Sequence, residues 1–448
     1  MKSYVFDIDR LSNFNERTLK KYQDVCLRKI VRFAYTVPLY HDKYKKANVH
    51  PDDIRGIEDI TKLPTISKYD IKAFYPNGII PSGTKKENFI EISTSGTTGK
   101  SLSLYGDMHD AVLWLFWYIR VLRNHGINWR KERLSIIGDF APHTIGSGYI
   151  KRGVLSNLNS SGFFRNMQWL NTNDEPIEVM KEVNKFKPDF LGGYVGMLGH
   201  LALLKEKGYG TDVNPHSIAT IGSILTPPLR KLLETTFHAR VFEVYGATES
   251  GTIAFQCHQG RYHIMSDLVY PEFLKDGAAV SSKEPGKLVI TKLYGRGTPI
   301  IRYDAVNDIV APLYETCDCG LVGGLIQKIY GRDDLCLYFS EGRVLLPASQ
   351  AEIYGKVLYE LKSNKIRETR IIQHSLSKLE IQLMFDKKLR DERPSNEEIF
   401  SIIKKGYEEK IGADVDIDIK EEETIIHKNQ PRIISKVDRT NFRIKKYI

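Results

Sequence analysis

Between residues 91 and 330 short apolar runs follow one another with glycine-rich turns between them, and amphipathic segments separate several of them. The runs include FIEIS (89–93), LSIIG (134–138), DFLGGY (189–194), IATIGS (218–223), VFEVYG (241–246) and KLVIT (287–291). The intervening PIEVMKEVNKF (176–186) and PPLRKLLETTF (227–237) carry apolar residues at helical spacing. Buried strands that alternate with helices define an α/β region. KLVIT and the stretch RYDAVNDIVAPLY read as antiparallel strands, so mixed sheets flanked by helices are expected.

The ends of the chain read differently. Residues 1–90 look helical and charged: Cys26, Ile30, Val31 and Ala34 recur at near-helical spacing, and KLPTISKYDIKAF reads as a turn, a helix cap at Ser67 and a short helix. GRDD (331–334) is a polar break. Beyond it, TRIIQHSLSKLEIQLMF reads as two strands and a turn, NEEIFSIIKKGYEEKIG as an amphipathic helix, and ADVDIDI as a strand. The expectation is a large N-terminal α/β domain over 1–330 and a small α+β domain over 331–448.

Composition narrows the class. With 42% hydrophobic and 27% charged residues among 448, the chain can bury a substantial core without disulfides. The net charge, 65 − 55 = +10, is mild and dispersed, which favours anionic ligands such as nucleotides and gives no nucleic-acid tract. The longest apolar stretch, Ala111 to Ile119, is nine residues. That is under half of the roughly 20 a membrane-spanning helix needs. No apolar signal segment opens the chain, and the five cysteines are an odd number, so a cytoplasmic setting with reduced thiols is expected.

Three polar segments could carry chemistry. Ser93-Thr-Ser-Gly-Thr-Thr-Gly-Lys-Ser101 follows an apolar strand and supplies hydroxyls, backbone N–H groups and a lysine for a phosphate. A Walker A loop would need glycine at position 94, which is Thr94. Val244-Tyr-Gly-Ala-Thr-Glu-Ser-Gly251 offers an aromatic face for a base, and Glu249 as an oxygen ligand for magnesium. Ile301-Arg-Tyr-Asp-Ala-Val-Asn-Asp308, followed by Gly331-Arg332-Asp333-Asp334, places Asp308 at a strand end, where a carboxylate can accept both ribose hydroxyls.

In this order the segments resemble the adenylate-forming ligase superfamily, specifically its phenylacetate–CoA ligase-like branch, which includes capsule-biosynthesis relatives. PDFLGGYVGML (188–198), IGSILTPPLRKLLETTFHARVFEVYGATESG and VLLPASQAE (344–352) add to the resemblance. It implies an N-terminal adenylation domain and a mobile C-terminal lid. It implies that Thr94, Ser95, Gly96, Thr97, Thr98, Gly99 and Lys100 contact the ATP phosphates, with Thr94 among the catalytic residues. Tyr245, with Gly246 and Thr248, would border the adenine, Glu249 would bind magnesium, and Asp308 and Arg332 would lie at the ribose. Asp333 would act at the hinge, and Lys436 would be the mobile lysine, with Lys428 in reserve. The chain departs from the family pattern at Asn307, where a glycine is usual, at the shortened GRDDL, and at Ser435.

The implied activity is ATP- and magnesium-dependent activation of a small carboxylic acid as its acyl-adenylate, then transfer to coenzyme A. The alternatives are transfer to a carrier protein, an amine or a polysaccharide precursor, or a nucleotide-binding protein that has lost turnover. A homodimer is compatible with the resemblance. Cys257 and His263, with Cys317 and Cys319, supply a Cys3His donor set suited to a structural zinc ion, with His258 adjacent. Relatives carry similar elements at these places. The other reading is four ordinary reduced or buried residues. Cys26 and Cys336 read as small buried hydrophobes. Trp114, Phe116, Trp117 and Tyr118 read as core packing, with an acyl pocket as the alternative, and Phe140 and His143 could flank the acid.

Overall fold

The computed structural model describes residues 7–93, 102–141, 144, 147–148, 165–425, 431–439 and 442–448. Helices α1 (Arg10–Asn13), α2 (Glu16–Ala34), α3 (Pro38–Lys46) and α4 (Lys68–Phe74) open the chain. Asn15 caps α2 by accepting from Thr18 N at 2.9 Å, and the helix buries Leu19, Leu27, Ile30, Val31 and Ala34 along one face. Ser67 caps α4 in a reciprocal pair with Asp70, as the sequence led us to expect.

Three buried charges tie this helical segment to the sheet. Arg10 donates to Asp267 at 3.0 Å, and Arg120 grips the same carboxylate at 2.7 and 2.8 Å. Burial alone would raise the Asp267 carboxyl, but the Arg120 and Arg10 guanidiniums outweigh it and hold the group below the usual range. Asp267→Ala would leave two guanidiniums buried without a counter-charge. Urea unfolding should show a loss of about 3–5 kcal/mol. A loss below about 1 kcal/mol, as exposed pairs give, would mean that water already screens the cluster.

A short ribbon, β1 (Ile90–Ser93) and β2 (Ser103–Gly106), precedes helix α5 (Met108–Asn124). Then come β3 (Leu134–Gly138), β4 (Met167–Asn171), α6 (Pro176–Phe186), β5 (Phe190–Tyr194), α7 (Val195–Glu206), β6 (Ser217–Ile221), α8 (Pro227–Phe237) and β7 (Arg240–Ala247). The chain continues through β8 (Gly251–Gln256), β9 (Tyr262–Ile264), β10 (Val269–Lys275), β11 (Ala278–Ala279), β12 (Gly286–Lys292), β13 (Asp308–Leu313) and β14 (Leu325–Arg332). Among the described residues these strands form one twelve-stranded sheet in the order β11-β10-β12-β13-β14-β9-β8-β7-β6-β5-β3-β4.

The sheet has two halves. From β4 to β7 all neighbours are parallel, while from β7 to β11 all are antiparallel. Helices α6, α7 and α8 cover the parallel half through Val183, Leu198, Leu201, Leu229 and Leu233. Leu113, Trp117 and Val121 of α5 join the other core together with the N-terminal helices. Helices on both faces explain why the parallel strands are so apolar.

The expected break at GRDD begins later than the sequence suggested. Gly331 and Arg332 still belong to β14, paired with Ile309 and Asp308, and a one-turn helix covers Asp333–Leu335. Of RYDAVNDIVAPLY, residues from Asp308 onward form the strand, while Tyr303 makes isolated bridges to Ile66 and Ile290.

The remainder comprises β15 (Leu337–Phe339), β16 (Arg343–Leu345), α9 (Pro347–Gly355), β17 (Ile366–Ser375), β18 (Lys378–Phe385), α10 (Asn396–Ile411), β19 (Asp416–Glu421), β20 (Ile433–Ser435) and β21 (Lys446–Tyr447). Its four-stranded sheet, β19-β18-β17-β20, packs Ile371, Leu379, Ile381 and Leu383 against Ile399, Ile403 and Tyr407 of α10. Lys365 is buried because its ammonium donates to three carbonyls, those of Arg390, Glu392 and Pro394, at 2.9, 3.0 and 3.0 Å. Tyr359 packs against the α7–α8 core, and Lys362 pairs with Glu206 of α7.

Candidate active site

Parallel strands deliver their loops to one edge, and open α/β sheets bind ligands beyond the carboxyl ends of their strands. A cavity of about 770 Å³ lies there, lined by Tyr194 at the end of β5, Gly222 and Ser223 after β6, and Tyr245 to Glu249 at the end of β7 and in the turn that follows. That volume suits a nucleotide-sized or drug-sized ligand.

Strand alternation aims the β7 side chains. Phe242 and Val244 enter the core, so Glu243 and Tyr245 face the cavity. The Tyr245 hydroxyl donates to Asp308 Oδ2 at 2.5 Å. Burial raises the Tyr245 phenol well above its ordinary value, so it remains a donor. Burial also raises the Asp308 carboxyl, against the lowering effect of that hydrogen bond. Asp308 opens β13 opposite Arg332, which closes β14 and makes a two-pronged pair with Asp334, both contacts at 2.9 Å. Asn307, just before Asp308, has φ +61°. Asn is among the few non-glycine residues that tolerate this left-handed conformation, so the departure from glycine keeps the turn.

Glu249 sits in the turn from β7 to β8. The two strands approach so closely that a Cβ on Gly246 would lie 2.7 Å from the carbonyl oxygen of Gly251. Burial raises the Glu249 carboxyl, and the Tyr303 hydroxyl donates to its Oε1 at 3.3 Å. Backbone pairing of Ile66 with Tyr303 brings the N-terminal segment alongside, and Lys68, the first residue of α4, lines the same cavity. The ammonium of Lys68 and the guanidinium of Arg332 partly offset the burial of Glu249.

One wall is aromatic. Trp114 and Trp117 of α5 line the cavity beside Tyr194, whereas Phe116 and Tyr118 pack against the core. The helical run was therefore correctly located, but core packing describes only part of it. Gly222 has φ +86°, and a Cβ there would lie 2.5 Å from the Tyr194 ring.

Tyr245, Gly246, Thr248, Glu249, Asp308 and Arg332 thus border a single cavity. Lys436 does not; it is exposed, with its ammonium 3.2 Å from His374 Nδ1. Thr94, Ser95, Gly96, Thr97, Thr98, Gly99, Lys100, His143 and Lys428 lie outside the described residues. Phe140 packs edge-on to Trp169 with ring centroids 6.0 Å apart. Sequence reasoning missed Lys68 and an ion-paired wall in which Arg230 donates to Glu243 at 2.7 Å and to Gln256 at 2.9 Å. Lys68 carries a usable signal, because the Ser67 cap places it at a helix start. The Arg230 wall joins α8, β7 and β8 and has no local signature.

A second cluster lies at the far end of β8. The β8–β9 hairpin presents Cys257 and His263, and the loop before β14 presents Cys317 and Cys319. Their four donor atoms lie within 4.8 Å of one another, including 3.9 Å between the sulfurs of Cys257 and Cys317 and 3.1 Å from Cys319 Sγ to His263 Nε2. A tetrahedral zinc ion with bonds of about 2.3 Å to sulfur and about 2.0 Å to nitrogen needs donors spaced about 3.5–3.8 Å apart. The donor set therefore fits zinc. Burial pushes His263 down to about 4, which leaves the imidazole neutral, the form that binds metals.

No protein-family model matches the chain. Phenylacetate–coenzyme A ligase of Pseudomonas putida is 25% identical over 309 residues, 66% of this chain and 67% of the relative. The Aromatoleum evansii enzyme of that name is 24% identical over 78% of each chain. Protein CapK of Staphylococcus aureus is 24% identical over 59% of this chain and 56% of its own length. Among solved structures, a 2-hydroxyisobutyryl-CoA ligase in its postadenylation state superposes with TM-score 0.75 at 16% identity, over 97% of this chain and 92% of that one. The fold is that of the adenylate-forming ligases. In sequence the chain is similar to phenylacetate–coenzyme A ligases. No helix among the described residues is long and apolar enough to cross a membrane.

Proposed function

We propose that the protein is an AMP-forming acid–thiol ligase that activates a small carboxylic acid with ATP and passes the acyl group to coenzyme A. The supporting observation is the convergence of Tyr245, Glu249, Asp308 and Arg332 on one cavity that also has an aromatic wall. In this reading residues 1–330 bind ATP and the acid, and 331–448 form the lid. Tyr245 flanks the base and Asp308 accepts the ribose hydroxyls. Thr94 to Lys100 contact the phosphates. Glu249 would hold magnesium, which would neutralise phosphate charge.

The acid carboxylate attacks the α-phosphorus and pyrophosphate leaves, so negative charge builds on the phosphoryl oxygens. Lys68 and Lys436 supply positive charge to that centre, Lys436 after the lid has turned. The thiolate sulfur of coenzyme A then attacks the acyl carbon of the mixed anhydride, and AMP leaves. The aromatic wall of Trp114, Trp117 and Tyr194 receives the acyl group.

The test is pyrophosphate release with ATP and magnesium across aromatic, aliphatic and hydroxy acids, with and without coenzyme A. Release that depends on one acid, with coenzyme A needed for turnover, is the expected result. Acid-dependent release without coenzyme A turnover would redirect the search to a carrier protein or polysaccharide precursor. ATP binding with no release for any acid would favour a protein that has lost turnover.

The same reading assigns a structural zinc ion to Cys257, His263, Cys317 and Cys319. Purified protein should carry one zinc per chain, and Cys317→Ser should lose it. At zinc a thousandfold above Kd, binding should contribute about 4 kcal/mol of apparent stability. Protein free of metal, with a melting temperature indifferent to zinc, would leave four ordinary reduced residues.

A further inference from the structure

The C-terminal sheet buries one face under α10. On the other face, a polar row crosses β17, β18 and β19 and meets Lys436 just after β20. Lys436, just after β20, lies 3.2 Å from Nδ1 of His374 on β17. His374 Nε2 lies 3.1 Å from Oε2 of Glu380 on β18. Glu380 also accepts from Gln382 at 2.7 Å and faces Lys420 of β19 at 3.5 Å. Further along this side, Lys420 pairs with Asp418 at 3.0 Å and Lys378 pairs with Asp416 at 3.6 Å. Arg370 shares the face of β17 with His374, four residues away.

Donor chemistry sets the protonation state of the row. An ammonium can only donate, so the Nδ1 that faces Lys436 carries the lone pair. Nε2 then carries the proton and donates it to the Glu380 carboxylate. His374 is therefore a neutral imidazole, oriented on one side by a carboxylate and accepting a lysine on the other.

We propose that His374 is a positioning residue for Lys436, a cradle that holds the lysine away from the cavity while the imidazole is neutral and releases it when Nδ1 is protonated. Protonation turns the acceptor into a donor and sets two cations side by side. The Glu380 carboxylate favours this protonated form, while the Lys436 ammonium opposes it. The functional part rests on Lys436 being the mobile lysine, whereas the cradle itself does not.

Two experiments separate these layers. In full-length protein labelled with ¹⁵N-histidine, His374 should show Nε2–H and a bare Nδ1 at neutral pH. Its titration should move up by roughly half to one pH unit in Lys436→Met, which removes a neighbouring positive charge. An unchanged titration and tautomer would overturn the cradle. For adenylation, His374→Leu should exceed the parent a few-fold at pH 8 and match it near pH 5.5. His374→Gln, which keeps an acceptor that does not titrate, should match the parent at pH 8 and fall below it near pH 5.5. A His374→Leu ratio independent of pH would overturn the functional part. A fully active Lys436→Ala would overturn the lysine assignment and with it the functional part, while the nuclear magnetic resonance result would still decide the cradle.

Discussion

Glu249→Gln should lower acid-dependent pyrophosphate exchange by about 10²–10³-fold, the cost of removing one electrostatic group from a reaction centre. The ligand-free protein should melt no lower than the parent. Both expectations come from the same burial. Glu249 and Asp308 are half-buried in the cavity wall, and both carboxyls are raised by loss of hydration. Their ionised forms therefore oppose folding. Their contribution to stability is complete below the ordinary carboxylate range of about 4, and it is lost as pH rises through the raised values. A divalent cation at Glu249 would offset that loss, and glutamine would avoid it without binding the cation. Melting curves against pH should fall less steeply for Glu249→Gln than for the parent. Near-normal exchange together with a lower melting temperature would make the turn structural and remove the magnesium assignment.

Lys436→Ala should lose about 10²–10³-fold in pyrophosphate exchange. Thioester formation from a supplied acyl-adenylate should stay within about twofold. Lys436 is exposed and absent from the cavity, whereas Lys68 already lines it. Lys436 can act only if the C-terminal unit turns, and the contacts that the turn must break include Lys362 with Glu206 and Tyr359 against the α7–α8 core. Lys68→Ala is the informative comparison. Loss of exchange in Lys68→Ala, with full activity in Lys436→Ala, would move the essential charge to the N-terminal segment.

The local elements were legible because local rules produce them. PIEVMKEVNKF and PPLRKLLETTF are helices over the residues read from their spacing, LSIIG is a strand, and Ser67 is a cap. Tyr245, Glu249 and Asp308 were legible as candidates because strand ends and turns with those residue types are uncommon together. The aromatic run was harder, because helical spacing puts Trp114 and Trp117 on a buried face without saying whether protein or a cavity lies opposite.

The sequence by itself therefore determined the order of elements, the mixed α/β class and the candidate residues of three separated segments. Tertiary structure alone decided that Tyr245 hydrogen-bonds Asp308 across 63 positions, that Lys68 joins the same cavity, and that Lys436 lies beside His374 rather than in it. Helix spacing, caps and turns are settled by interactions a few residues long. The meeting of β7, β13 and α4 depends on sheet order and on the tertiary fold of the whole chain, which no local pattern encodes.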